Sequence, residues 1–113
     1  MAYGNDTAWQ GPSIYTGTAT ALVPSINVKG AKMIAFTLSG LTTETVSLDI
    51  SFDNNNWITG VRPVDLSTGA VASASTLASG SYSFGGAALP CAFFRLTKSG
   101  AANNATANVG VRL

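Results

Sequence analysis

The sequence predicts an all-β protein: a single-domain antiparallel β-sandwich of about eight strands, jelly-roll or immunoglobulin-like. Three observations predict it. In Glu44–Val61 (ETVSLDISFDNNNWITGV), Val46, Leu48, Ile50 and Phe52 alternate with Thr45, Ser47, Asp49 and Ser51. A strand alternates its side chains between faces with period two, so this run gathers its large apolar groups on one face. Similar short runs recur along the chain, with turn signals roughly every 8–12 residues, as in sandwiches and barrels. No segment carries a persuasive helical period.

The Glu44–Val61 stretch organises the rest. Asn and Asp tolerate left-handed backbone and hydrogen-bond to their own turns, so Asp53-Asn54-Asn55-Asn56 reverses the chain and Trp57 opens a return strand. A single hairpin is marginal in water, so its apolar face requires a partner sheet.

Taken in order, Met1–Pro12 is a polar, Gly-rich arm with two aromatics, Tyr3 and Trp9, ahead of a sandwich domain over residues 13–113. The arm either docks on a neighbouring subunit or packs Trp9 on its own domain. Ser13–Thr16 is a short strand. Thr18–Val28 alternates, with Leu22, Ile26 and Val28 on one parity. Pro24 within it marks an edge, bulge or break, because proline cannot donate to a ladder. Lys32–Leu38 places Ile34, Phe36 and Leu38 on one face, and Ser39-Gly40 turns toward the hairpin.

Beyond Val61, Ser67-Thr68-Gly69 forms a turn. Ala70–Leu77 has only Val71 and Leu77 as large apolar groups, so it predicts a light strand at an edge or between subunits. Ser81–Phe84 and Cys91–Lys98 follow. The second carries Phe93 and Phe94 on opposite faces, as in strands covered on both sides. Ala105–Leu113 closes the chain with Val109, Val111 and Leu113 inward. The predicted core is Val46, Leu48, Ile50, Phe52, Trp57, Phe94, Val109 and Val111.

Composition narrows the function. The chain has 113 residues, is 46% hydrophobic and only 10% charged, and carries net charge +1. Average soluble domains are about 25% charged. Scattered Lys29, Lys32, Arg62, Arg95, Lys98 and Arg112 make no basic stripe, which excludes a sequence-independent nucleic-acid binder. A surface poor in Lys and Glu fits a subunit of an assembly, or a stable β domain that needs few charges. Met1–Asp6 lacks the basic start and apolar run of a signal peptide, and no stretch approaches the roughly 20 apolar residues of a membrane-spanning helix. With Cys91 alone, no internal disulfide forms. The expectation is a protein made in a reducing cytoplasm, with no membrane partner.

Chemistry is sparse. Without histidine, the Ser-His-Asp and Cys-His nucleophile systems and His-ligated zinc are excluded. One cysteine cannot build a thiolate metal site, and Cys91 reads as a small hydrophobe at a strand start. Gly80 and Gly85-Gly86 match no phosphate-binding fingerprint. Asp49 and Asp53 share a parity, but isolated exposed carboxylates are commoner than a glycosidase pair. Asp53–Asn56 resembles the start of a calcium loop, yet lacks its glycine and distal glutamate. Trp57, Tyr82, Phe93 and Phe94 are either a sugar-stacking platform or core, and the core reading is preferred for Trp57. No catalytic, cofactor or metal residue is expected, and the protein is not expected to be an enzyme.

The order of segments is informative. An amphipathic strand runs into FDNNNW, then a Pro/Thr/Gly connection, a small-residue strand, GSYSF, FFRL and a final NVGVRL. Over Val46–Leu113 this resembles small β-sandwich structural proteins of tailed bacteriophages. In many of these, S-x-D-G-x-x-W leads to G-x-Y, F-R-x and a valine-rich last strand. Asn54-Asn55 stand where a glycine would be usual.

The resemblance implies a non-enzymatic virion protein, with a capsid decoration (cement) protein favoured. Such proteins bind the outer shell, often as trimers. The implied partners are the major capsid protein and further copies of the chain. The implied location is the capsid surface, after synthesis in the host cytoplasm. Interface candidates are Tyr3 and Trp9 of the arm and Val71, Ala72 and Ala74 of the light strand. The alternatives are a carbohydrate- or receptor-binding module of a tail or baseplate, and a head–tail or tail subunit.

Overall fold

A computed structural model describes residues 9–86 and 88–113. Ten strands form two antiparallel sheets: β1 (Trp9–Gly17), β2 (Ala21–Asn27), β3 (Met33–Ser39), β4 (Val46–Ser51), β5 (Trp57–Val61), β6 (Val64–Asp65), β7 (Ala70–Val71), β8 (Gly80–Gly85), β9 (Phe93–Lys98) and β10 (Ala105–Arg112). The first sheet runs β1-β10-β3-β8-β6-β7 and the second β2-β9-β4-β5.

The pairing identifies the topology. β1 pairs β10, β2 pairs β9, β3 pairs β8 and β4 pairs β5. That is a long antiparallel ribbon folded over on itself, which is a jelly roll. The β6–β7 hairpin extends one edge of the six-stranded sheet. Of the two strand orders compatible with the sequence, the jelly roll is the one formed.

Alternation fixes which face each strand buries. Ile34, Phe36 and Leu38 of β3 are buried, and opposite them lie Val111, Val109 and Ala107 of β10. Phe36 and Tyr82 meet with ring centroids 5.6 Å apart. From the second sheet come Val46, Leu48, Ile50, Phe94 and Leu96. The small Ala105 and Ala107, both fully buried, leave room for these larger groups between the sheets.

Five expectations need correction. Leu113, expected inward, is 45% exposed, one residue past the end of β10. Phe52, expected in the core, is 65% exposed. The strand ends at Ser51, whose hydroxyl turns the chain by donating to the Asn56 carbonyl (2.6 Å) and accepting from the Asn54 N–H (3.0 Å). The period-two rule stops there, and Phe52 belongs to the turn. Trp57, also expected in the core, is half-buried on the outer side of β5. Its register partner is Ser51, not a core residue.

Ala70–Leu77 is not one strand. Only Ala70–Val71 is extended in the sheet; the rest crosses to the other sheet. There the buried Leu77 exchanges backbone hydrogen bonds of 2.7 and 2.9 Å with Val46. Finally, β1 starts at Trp9, where Trp9 and Gln10 lie opposite Arg112 and Val111, so the sheet takes in residues assigned to the arm. Their pairing partners lie about a hundred residues away, which local pattern cannot reveal.

Candidate functional site

Two outer sheet faces and one turn hold the residues with chemical potential. The outer face of the six-stranded sheet is the plainer. Register places Ile14 and Thr16 of β1 beside Asn108 and Thr106, these beside Thr37 and Ser39 of β3, and Thr37 and Ala35 of β3 beside Ser81 and Ser83 of β8. Val64 and Val71 continue the row at the far edge. Among the described residues this face is uncharged until Arg112 at one end. Its margins carry exposed apolar groups: Ile14 at 65%, Val71 at 61% and Leu66 at 53%. Pro12 and Leu66 wall a shallow groove of about 240 Å³ floored by Ala35 and Gly110.

The outer face of the four-stranded sheet is different. Asp49 of β4 and Arg95 of β9 are register partners. Asp49 is only 2% exposed although it points away from the core. Its Oδ2 accepts from Arg95 Nε and from the Thr97 hydroxyl, both at 3.0 Å, and its Oδ1 accepts from the Ser47 hydroxyl at 2.5 Å. Ser47 in turn accepts from the Gly60 N–H. The Arg95 guanidinium lies over the Trp57 ring, 4.1 Å from its centroid, and covers the carboxylate. On the same face Lys29 Nζ sits 5.5 Å over the Phe93 ring.

The turn explains the Asn run. Asp53 Oδ1 accepts from the N–H groups of Asn56 (2.8 Å) and Asn55 (2.9 Å), and Oδ2 from the Asn56 amide (2.7 Å). Those donors, led by the Asn56 N–H, hold its carboxyl far below the usual range. Asn54 takes a left-handed backbone, φ 63°. The loop carboxylate is engaged by its own loop, and among the described residues no group of three or more His, Cys, Asp or Glu gathers. Burial pushes the Cys91 thiol up, favouring its neutral form.

The sequence-predicted residues are thus distributed. Of the four aromatics considered as a platform, Trp57 and Phe93 face outward, each with a cation over its ring, while Phe94 and Tyr82 are buried. Val46, Leu48, Phe94 and Val109 lie in the core, Ile50 is 6% exposed and Val111 packs against the core from its edge. Among the interface candidates, Val71 and Ala74 are exposed, while Ala72 is partly buried against the core. Tyr3 and the side chain of Trp9 lie outside the described residues. The Asp49–Arg95 pair was missed. Its signal is the outward parity of both residues in SLDIS and FFRLT, which local reading cannot join across 46 positions.

No protein-family model matches the chain, and no curated protein matches it. Among solved structures, the crystal structure of the SPBc2 prophage-derived protein YomS superposes with a TM-score of 0.68, covering 88% of this chain and 90% of that one at 12% identity. The likeness spans nearly the whole of both chains, and what it shows is a shared fold.

Proposed function

We propose that this chain is a non-enzymatic virion structural protein, and specifically a capsid decoration protein that binds the outside of the shell and stabilises it. The observation that carries this reading is the outer face of the six-stranded sheet, which is uncharged among the described residues up to Arg112. By ordinary strand spacing and rise it measures about 25 by 20 Å, roughly 500 Å². A standard interface takes about 800 Å² from each partner, so this face with its apolar margins supplies most of one. Small Ala, Ser, Thr and Gly side chains let another backbone approach closely. The fold likeness to a prophage-derived protein supports a phage setting.

The action is mechanical. Each subunit buries area across a boundary between capsomers and raises the barrier to their separation. The partners are the major capsid protein and further copies of this chain, with a trimer favoured, and the location is the capsid surface. The carbohydrate-binding alternative draws on Trp57 and Phe93, but both rings carry a cation where a sugar would stack. The test is co-sedimentation of purified protein with expanded shells that lack it. Saturable binding at a fixed ratio to shell subunits is expected. Absence of binding to such shells overturns the proposal.

A further inference from the structure

The outer face of the four-stranded sheet carries a second, independent feature. Arg95 is held in place from two sides. Its Nε donates to Asp49, 2% exposed, and one guanidinium face lies on the Trp57 ring at 4.1 Å. Among the described residues, neither terminal nitrogen of Arg95 donates to a protein acceptor, and its side chain is 35% exposed. An ion pair with one partner this exposed contributes little net stability. What this one does is immobilise a planar two-nitrogen fork that faces solvent.

Such a fork matches a carboxylate in geometry and charge, and ordering it beforehand removes the entropy that binding would otherwise cost. Lys29 adds a second cation to the same face. It lies over Phe93, two positions from Arg95 on β9 and so about 7 Å along the strand.

We propose that Arg95 is a preorganised receptor for a carboxylate, namely an Asp or Glu side chain presented by a partner protein. In choosing a protein partner this rests on the decoration reading; the site itself rests on geometry alone. An acidic side chain is favoured over an acidic sugar because the cations over both outward aromatic rings leave no open stacking face there. This face is opposite the uncharged one, so one subunit engages neighbours through both.

The test has two arms. In the first, the intact protein is titrated with glutarate, a free analogue of the glutamate side chain, at constant ionic strength set with sodium chloride. The NMR signals of Arg95 Nε–H and the Trp57 indole N–H are followed. Saturable shifts of both are expected, weakened about tenfold or more in R95K, which keeps the charge and loses the fork. No saturable shift in the wild type, or equal binding by R95K, overturns the site. The wild-type titration decides even if R95K folds poorly.

In the second arm, wild type and R95K are compared for co-sedimentation with shells. Weaker binding by R95K supports a protein carboxylate as the occupant. Equal shell binding overturns that occupant. Glutarate binding without any shell binding overturns the decoration reading and the protein partner while supporting the carboxylate site, and a glucuronate oligomer then replaces glutarate as the probe.

Discussion

Lys98 Nζ lies 3.4 Å from Glu44 Oε1, with the lysine side chain fully buried at one end of the sandwich. Lys98 also donates to the carbonyls of Asn103 and Gly17. Glu44 accepts from the N–H groups of Ala102 (2.6 Å) and Asn103 (3.0 Å). Asn103 Oδ1 accepts in turn from Thr42, Thr43 and Glu44. One buried cation therefore ties the β3–β4 loop, the β9–β10 loop and the end of β1 together. Removing one partner of a buried pair costs about 3 kcal/mol or more. K98M is expected to lose about that much in urea denaturation; a loss under 0.5 kcal/mol contradicts this role.

The core and the turn separate in a paired substitution. Phe94 is fully buried and Phe52 is 65% exposed. F94A is expected to cost about 3–5 kcal/mol, while F52S stays within about 0.5 kcal/mol of wild type. Equal losses, measured by the same denaturation, would return Phe52 to the core.

Acid is expected to weaken the fold, with a clear sign. The Ala102 N–H, the Asn56 N–H and the Ser67 hydroxyl lead the donors that hold the carboxyls of Glu44, Asp53 and Asp65, respectively, below their ordinary values. A depressed folded pKa gives stability that is present above the unfolded value, about 4, and lost as pH falls through the folded one. With no histidine in the chain, no side chain with an ordinary pKa titrates between pH 5 and 8. Tm is expected to be flat from pH 5 to 8 and to fall below pH 4. A Tm unchanged at pH 3 contradicts the assignment.

Gly40 and Gly30 give a backbone test. Both have left-handed backbone, φ 81° and 80°. A Cβ on Gly40 would stand 2.6 Å from the Asn104 carbonyl oxygen, whereas nothing lies within 4 Å of one on Gly30. G30A is expected to cost about 1 kcal/mol, from backbone conformation alone, and G40A clearly more. Equal Tm losses would mean that the close approach of the β9–β10 loop carries no weight.

These positions also show where the sequence is readable. Alternation places Val46, Leu48 and Ile50 inward because β4 is regular, and it fails at Phe52, one residue past the end of the strand. Trp57 follows from its partner Ser51, a pairing that hydrophobicity does not reveal. Asp49 points outward as its parity requires, yet it is buried because Arg95 and Trp57 cover it. Lys98 shares the inward parity of Phe94 and Leu96, and a charge at such a position is intelligible only once Glu44 is seen to face it. The strand order of the jelly roll likewise joins residues too far apart in sequence for local patterns to pair them.

The most direct measurement is the copy number of this chain in phage particles purified from its source, quantified against their major capsid protein by mass spectrometry. The decoration account predicts hundreds of copies in fixed ratio to the shell protein. A handful of copies would place it in the tail or connector, and complete absence from the particle would contradict a virion role.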